Sequence, residues 1–290
     1  GRLLSFRRRP EGPEDAGALD YEADGGLLLR GGRIAAAGDF AAVRSKAPEA
    51  EVVDHRPHLI LPGFIDPHIH FPQLQVVASW GAELLDWLER YTFPAEAAFA
   101  DPAHARAMAG PFLDRLVEHG TTTAAVYCSA HAASAEALFE EAARRDMRLV
   151  AGKVMMDRNC PEGVRDTAQA AYDDSAALIA RWHGHGRLGY AISPRFSVTS
   201  SAGQLAAAGA LAAGHPGCHR QTHIAENHAE IAAVARLFPE ARDYLDTYDR
   251  AGLLGPQMLL GHCLHLSGRE VARIAETGSR AVFCPTSNLF

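Results

Sequence analysis

Cysteine is scarce in this chain, and its distribution bears on where the protein works. Five cysteines are spread over 290 residues, and no two of them form a CxxC pair. An odd number of scattered cysteines is not the pattern of a disulfide framework, so we predict reduced thiols in a cytoplasmic protein. The five are Cys128, Cys160, Cys218, Cys263 and Cys284.

Long apolar runs and an excess of positive charge are also missing. No stretch approaches the roughly 18 apolar residues of a membrane span, and the basic start at Arg7 to Arg9 leads into Pro10 and Glu11 rather than into an apolar segment. The net charge is -7. Because nucleic acids and anionic membranes bind basic surfaces, we expect neither as a partner, and small neutral ligands remain open. We expect a soluble protein that is not exported.

The size and composition are those of a globular protein. Hydrophobic residues make up 48% and charged residues 22% of the chain, which is long enough for one large α/β domain and a small appendage. The chain begins at Gly1 without an initiator methionine, and Phe290 follows an apolar strand and a polar CPTSN turn. We therefore expect a fragment of a longer protein, truncated at both ends.

Residues 1–62 predict a small β unit. The candidate strands Leu27 to Arg30 and Arg33 to Ala37 flank a Gly31-Gly32 hairpin turn. Two further candidate strands are Glu51 to Asp54 and Leu59 to Leu61.

Strands and amphipathic helices alternate over residues 63–290. The candidate strands are Phe64 to His68, Thr121 to Tyr127, Leu149 to Val154, Leu188 to Ile192, Arg220 to Ile224, Met258 to His262 and Arg280 to Phe283. The candidate helices are Ala103 to His119, Ala133 to Arg145, Ala168 to Trp182, Ala202 to Ala213, His228 to Phe238 and Gly268 to Thr277. This alternation predicts a parallel sheet covered by helices, either a closed barrel or an open sheet.

The positions of the polar residues favour the barrel. Polar side chains stand at or just after the C-terminal ends of different strands: His68 and His70, Arg195, His223 with Glu226, and His262 with Asn288. In a barrel these ends converge on one mouth, whereas no Gly-rich phosphate loop marks the crevice of an open sheet. We predict a (β/α)8 TIM-like barrel with about seven strands present and the eighth beyond Phe290.

Two imidazoles at the end of the first barrel strand predict a metal site. His68 and His70 end the segment PGFIDPHIH, and residues two apart in a strand face the same way. Neutral imidazole is a common metal ligand. A second His-x-His pair, His183 and His185, lies in a Gly-rich turn and is predicted to be surface.

Two more histidines follow other strands of the predicted barrel. His223 is followed three residues later by Glu226, which suggests a ligand and a proton shuttle, although a Glu near a helix N-terminus is also favoured by the helix dipole. His262 either faces the same mouth or is a core histidine. Three strand-end histidine sites together favour a metal centre. We predict structural roles, not catalytic ones, for His119, His265 and Lys153. We expect the side chain of Cys263 to point away from that of His262.

Several motifs resemble the amidohydrolase superfamily, whose metal-dependent barrels carry a β-sandwich built from both chain ends. They are PGFIDPHIH, HGTTT at His119 to Thr123, THIAEN, and GHC at Gly261 to Cys263. More narrowly, the LDWL, YTFP, GKV-MD and SPRFS stretches are similar to those of the zinc-type guanine deaminases. The resemblance runs from about Leu27 to the last residue. It implies that residues 1–62 are part of the β-sandwich and residues 63–290 the barrel.

The resemblance also implies an activity, namely hydrolysis of guanine to xanthine and ammonia in purine catabolism or salvage. One zinc ion, or alternatively iron, is held by His68, His70 and His223, with Glu226 and His262 as the catalytic pair. The purine is held by Gln73, Arg195 and Phe196, with His70, His223 and Glu226 lining the same site. Family members add an aspartate ligand from the eighth strand, which this sequence does not contain. A homodimer is implied as well.

The sequence leaves alternatives open. The barrel could act on a different aminated heterocycle, as a deaminase or chlorohydrolase, because the metal ligands would be the same. Without the aspartate, the chain could be inactive or a binding protein. Arg195 can donate to the O6 atom of guanine, Gln73 can both donate and accept, and Phe196 can stack on the purine. Arg195 could instead be a plain salt-bridge partner.

Overall fold

The computed structural model describes residues 1–81 and 83–289. The chain divides into two compact units, Gly1–Gly63 and Phe64–Phe290. The assignment of the first unit to part of a β-sandwich stays a prediction.

The first unit contains five strands and one α-helix. They are β1 (Arg2–Phe6), β2 (Leu19–Glu22), β3 (Gly25–Arg30), β4 (Arg33–Asp39), α1 (Phe40–Ser45) and β5 (Leu59–Ile60), with a 3₁₀ turn at Ala16–Ala18. β1 pairs antiparallel with β2 and parallel with β5, and β3 pairs with β4. Gly31 and Gly32 have φ values of 56° and 73°, as a two-residue hairpin turn requires.

The predicted strand from Glu51 to Asp54 is wrong. These residues are irregular and exposed, including Val52 and Val53, whose exposed fractions are 50% and 67%. The two valines give the segment β-propensity, but a strand also needs a neighbour to complete its hydrogen bonds. No described residue pairs with this segment.

The second unit is a nearly closed parallel barrel surrounded by helices. Its strands are β6 (Phe64–His70), β7 (Thr121–Tyr127), β8 (Arg148–Gly152), β9 (Val154–Met155), β10 (Leu188–Pro194), β11 (His219–Ile224), β12 (Met258–His262) and β13 (Arg280–Val282). Seven of them lie side by side in the order β13-β12-β11-β10-β8-β7-β6, and β9 also pairs with β10. The predicted α/β TIM-like barrel is confirmed.

The helices of the second unit include every helix that the sequence predicts. They are α2 (Leu84–Trp87), α3 (Phe93–Ala97), α4 (Pro102–Glu118), α5 (Ala132–Arg144), α6 (Ala168–Trp182), α7 (Ala202–Gly214), α8 (His228–Leu237), α9 (Tyr244–Arg250), α10 (Gly268–Thr277) and α11 (Pro285–Asn288). Short 3₁₀ turns lie at Phe71–Val76, Ala98–Ala100 and Glu162–Val164, and a π-helical turn at Leu88–Thr92. The sequence does not predict α9, because this helix is short and polar and shows no clear helical periodicity.

Two strands differ from their predicted form in ways that affect the site. β6 continues through Pro67 to His70, because a register shift between Asp66 and Ile69 accommodates the proline that cannot donate to the ladder. The third predicted barrel strand is split into β8 and β9. At the end of β8, a Cβ added to Gly152 would lie 1.8 Å from the carbonyl oxygen of Ala191, so glycine is required for the two strands to approach.

Burial in the second unit follows the barrel architecture. Every residue of β10 is buried, as is typical of a parallel strand covered on both faces. The largest buried side chains include Tyr127, Phe139 and Tyr190. Among the described residues, no helix combines the length and the apolar composition that would let it cross a bilayer.

Candidate metal centre

The end of β6 presents two imidazoles to the inside of the barrel. The backbone N–H of His68 donates to the Asp66 carboxylate at 3.0 Å, across the irregular part of the strand. The rings of His68 and His70 lie 5.3 Å apart, edge to face. The expected common direction of the two side chains is present, although the strand that carries them is bent.

A third imidazole comes from β11, and its surroundings determine which nitrogen is available. Nδ1 of His223 lies 2.7 Å from the carbonyl oxygen of Arg195. A carbonyl can only accept, so Nδ1 carries the proton and Nε2 keeps its lone pair. This Nε2 lies 2.9 Å from Nε2 of His70. A metal ligand oriented through its second nitrogen in this way is a common arrangement.

The three histidines fit a metal ion. One nitrogen from each of His68, His70 and His223 lies within 4.8 Å of the others. Two nitrogens bound to one tetrahedral zinc ion are about 3.4 Å apart, close to the observed separation of His70 and His223. Burial lowers the pKa of His68 to about 3, and it holds the pKa values of His70 and His223 well below their usual range. All three are therefore neutral at pH 7 and able to bind a cation.

Tyr127 forms an aromatic wall beside this cluster. Its ring stacks on His70 at 4.6 Å and lies 4.7 Å from the His223 ring. The side chain is fully buried, and its hydroxyl has no hydrogen-bond partner among the described residues. The sequence places Tyr127 at a strand end but does not indicate a role for it. Its position as the last residue of β7 was the available signal.

Glu226 and His262 lie together beside the histidine cluster. Their Oε2 and Nε2 atoms are 3.3 Å apart. Both segments leave their strands through left-handed backbone, with φ values of 52° at Ala225 and 71° at His262. Left-handed non-glycine residues cost of order 1–3 kcal/mol and concentrate at functional sites.

The protonation of this pair is set by its buried position. Burial, and then the nearby Glu230, raise the pKa of Glu226 to about 8. Burial lowers the pKa of His262 to about 4, so the ring is neutral at pH 7. With the Asn288 amide nitrogen donating to Nδ1 at 2.9 Å, Nε2 of His262 carries the proton and faces Glu226.

The helix-dipole alternative for Glu226 does not describe its position. α8 begins at His228 with Asn227 as its N-cap, and the acidic residue of the first turn is Glu230. Glu230 accepts from the backbone N–H of Glu226 at 2.9 Å and from the Tyr244 hydroxyl at 2.5 Å. Glu226 therefore precedes the helix, and Glu230 holds its backbone in place.

A second group of possible ligands is not predicted by the sequence. His68, His262 and Cys284 also have ligand atoms within 4.8 Å of one another. Burial raises the pKa of the Cys284 thiol, which disfavours the thiolate that binds metals. Of the two groups, the three imidazoles are therefore the better suited to a metal ion. Cys284 lies two residues after the end of β13, so its position close to a strand end was the available signal.

The three residues predicted to bind the purine differ from one another in burial and in their contacts. Arg195 and Phe196 are buried, and the Phe196 ring lies 6.4 Å from the His223 ring. Nη1 of Arg195 lies 2.5 Å from the carboxylate of Glu96, so the salt bridge anticipated as an alternative is present. Gln73 is half-buried in the 3₁₀ turn after His70, and no hydrogen bond between described residues joins it to Arg195 or to the histidines.

The residues expected to be structural have structural surroundings. His119 caps the C-terminus of α4, and the ring of the exposed His265 lies against that of His228, tilted by 30°, with ring centroids 4.0 Å apart. Lys153 is buried in an ion pair with Asp166. His183 and His185 lie in the turn before β10 and are exposed.

The chain matches the models of two known protein families. Residues 59–290 match the model of the amidohydrolase family, and residues 25–50 match an imidazolonepropionase-like composite domain of bacteria. The chain belongs to the amidohydrolase family. The predicted superfamily is thus confirmed, and this family is metal-dependent, with zinc as the typical metal.

Within the amidohydrolase family, this chain is similar to several guanine deaminases. It is 44% identical to the guanine deaminase of Escherichia coli, covering 100% of the chain and 66% of that protein, and the E. coli structure matches with a TM-score of 0.96. Guanine deaminase from Bradyrhizobium japonicum is 39% identical, with a TM-score of 0.96 over 100% of this chain and 63% of that one. The chain thus spans about two thirds of the length of these relatives.

A third relative was solved with a ligand. Guanine deaminase from C. acetobutylicum, with bound guanine in its active site, is 29% identical, with a TM-score of 0.90 over 100% of this chain and 67% of that one.

Proposed function

We propose that the protein containing this chain hydrolyses guanine to xanthine and ammonia at a metal centre held by His68, His70 and His223. The observation that carries the proposal is the cluster of three neutral imidazoles beside Glu226 and His262 at one end of the barrel. The similarity to guanine deaminases over the whole chain supports the substrate. We assign one zinc ion per chain, with iron as the alternative metal.

The metal and the carboxylate would have separate tasks. Zinc, when bound, lowers the pKa of water to about 7 and so makes hydroxide available at neutral pH. Glu226 takes the proton of the attacking water and passes it to ring nitrogen N3 of guanine while the new C–O bond forms at C2. The remaining proton, on the new C2 hydroxyl, then goes through Glu226 to the amine, so that the C2=O bond forms as the C2–N bond breaks and ammonia leaves. A group with a pKa of about 8 can both take and give protons near neutral pH.

His262 and the purine-reading residues would complete the site. The N–H at Nε2 of His262 stabilises negative charge on the oxygen that forms at C2, an effect worth roughly 3 kcal/mol for comparable donors. Arg195 donates to O6 of guanine, Phe196 offers an aromatic face, and Gln73 reads a ring edge. A homodimer and a cytoplasmic location remain predictions from the sequence.

Ammonia release from guanine by the full-length gene product, with metal analysis, tests the proposal. A panel of guanine, adenosine, cytosine and triazines separates guanine from other aminated heterocycles. We expect release from guanine at a kcat/KM at least tenfold above the rest, and loss of activity on chelation that zinc restores. Turnover of a triazine instead would identify the runner-up. No turnover by the metal-loaded protein would contradict the proposal.

A further inference from the structure

A fully buried ion pair lies next to the metal centre, and one of its two partners, Glu96, has no role in the mechanism above. The carboxylate of Glu96 and Nη1 of Arg195 are 2.5 Å apart, and the two residues are 0% and 2% exposed. Glu96 belongs to α3, 99 positions before Arg195 in the chain. The guanidinium carbon of Arg195 also lies 5.5 Å from the centre of the Phe93 ring. Two residues of one short helix therefore hold the guanidinium.

The backbone of Arg195 is held by the neighbouring strand β11. Its carbonyl oxygen accepts from the backbone N–H of His223 at 3.0 Å and from Nδ1 of the same histidine at 2.7 Å. The hydroxyl of Thr222 donates to it at 3.2 Å. On the other partner, the carbonyl of Glu96 accepts from the Ser129 hydroxyl at 2.8 Å. One residue thus orients a metal ligand with its backbone and holds a guanidinium at a defined place with its side chain.

A contribution to folding stability does not by itself explain why this ion pair is buried. Removing two charges from water costs several kcal/mol per ion, and well-packed apolar residues often serve as well or better in such positions. Holding a long arginine side chain in one conformation, in contrast, improves recognition because the bound substrate does not have to order it. The pair also brings a cation close to the centre without adding net charge there.

We propose that Glu96 is a positioning residue that holds the guanidinium of Arg195 in place for the oxygen on C6 of a neutral purine and cancels its charge. The inference rests on the proposed function. It explains why a binding site for an uncharged base would contain a buried arginine. It also has a consequence for the product, since xanthine is more acidic than guanine and is partly anionic at mildly alkaline pH. A neutralised arginine binds that anion less tightly than an unpaired one would, so the pair favours product release.

The first test measures selectivity for the oxygen on C6. Guanine is compared with 2-aminopurine, which has the amine on C2 but no oxygen on C6, in the wild type and in Glu96→Gln. We expect the guanine to 2-aminopurine ratio of kcat/KM to fall about tenfold, mainly through a higher KM for guanine, with metal content unchanged. The same ratio in Arg195→Ala should not fall further when Glu96→Gln is added.

The second test measures inhibition by the product xanthine. Here the variant should bind the ligand more tightly, whereas in the first test it binds guanine less tightly. In Glu96→Gln the guanidinium loses its counter-charge, so xanthine should inhibit several-fold more strongly, and the difference should grow between pH 7 and pH 8.5 as the anion forms. Glu96→Asp keeps the charge on a shorter side chain. This variant should retain weak inhibition by xanthine but lose part of the selectivity for guanine.

Asp166→Asn is the matched control, because it removes the carboxylate of a different buried ion pair, with Lys153, whose residues have no role in the proposed site. It should lower stability without changing the selectivity ratio or the inhibition by xanthine. Equal loss of activity on guanine and 2-aminopurine in Glu96→Gln, with unchanged inhibition, would overturn the inference. If Glu96→Gln does not fold, unchanged selectivity in Glu96→Asp would overturn it. Absence of guanine turnover by the wild type would instead contradict the proposed function.

Discussion

At the scale of single residues, hydrogen bonds to one ring nitrogen of a histidine decide what its other ring nitrogen can do. The carbonyl of Arg195 leaves Nε2 of His223 as the unprotonated nitrogen, and Asn288 donates to His262 so that its Nε2 is protonated. Two histidines on adjacent strands thereby receive opposite tasks. One presents a lone pair suited to a cation, and the other presents an N–H suited to an oxygen.

Glu226→Gln tests the proton-transfer role. The amide keeps the size of the side chain but cannot take a proton, so we expect kcat to fall by about 10²–10⁴ with metal content unchanged. Steady-state kinetics with metal analysis measures both. Glu118→Gln, on the exposed end of α4, is the control and should change neither. Loss of the metal together with the activity would show that Glu226 helps to hold the ion instead.

Tyr127→Phe tests whether the aromatic wall acts through its ring or its hydroxyl. Because the buried hydroxyl has no partner among the described residues, its removal should be neutral or stabilising, by up to about 1 kcal/mol. Metal content and kcat should stay within about twofold, since the stacking on His70 is retained. Chemical denaturation measures the free energy of unfolding. A loss of several kcal/mol would contradict this expectation and indicate a hydrogen bond made by the hydroxyl.

At the scale of elements, the ends of the strands combine irregular backbone with close packing. β6 bends at Pro67, and the segments after β11 and β12 turn through left-handed residues. The backbone N–H groups of Cys263 and Leu264 donate to the carbonyls of Ile224 and Ala225, so the two left-handed turns support each other. Regular strands would carry Glu226 and His262 straight on, whereas these turns bring them together.

Gly261→Ala tests the packing between β12 and β6. An added Cβ would lie 2.6 Å from Cε1 and 2.7 Å from Nδ1 of His68, so the imidazole must shift. We expect metal affinity to fall about 10–100-fold, the range seen when the orientation of a ligand is disturbed. Gly189→Ala in β10 is the control, because its Cβ would meet Val150 at 3.4 Å. Equal affinity in the two variants, measured by titration, would show that His68 is not a ligand.

At the scale of the whole molecule, burial of several imidazoles at one point sets the proton affinity of the site. His68, His70, His223 and His262 come from three different strands, and charge repulsion from His68, His70 and His262 lowers the pKa of His223. Desolvation is the largest cause in each case. No single strand could produce this effect.

The metal affinity should therefore depend little on pH over a wide range. Protons compete with a metal only below the pKa of the free ligand, so three ordinary imidazoles would lose affinity steeply below about pH 6.5. Here burial lowers the pKa of His68 to about 3 and keeps those of the other two well below their usual values. We expect the zinc Kd of the chelator-treated protein to change by less than about tenfold between pH 7 and pH 5. A steep rise in Kd below pH 6.5, with circular dichroism showing a folded protein, would contradict this.

The sequence predicted much of this fold because its local patterns agree with the final structure. β7 and β12 match their predicted bounds, as do α6 and α10. The predicted strand at Glu51 to Asp54 failed because propensity alone cannot supply a hydrogen-bonding neighbour. The facing pair His68 and His70 follows from a two-residue period, but its bent strand and its approach to His223 do not.

By itself, the sequence determined the alternation of strands and helices and the placement of histidines at strand ends, because both depend on residues that are only a few positions apart in the chain. Only the tertiary structure decided that Glu96 pairs with Arg195, that Tyr127 lies against the imidazoles and that Glu226 faces His262. These contacts join segments that are far apart in the chain. Their physical cause is the convergence of parallel strands, which desolvates charged and polar groups together and leaves them only each other as partners.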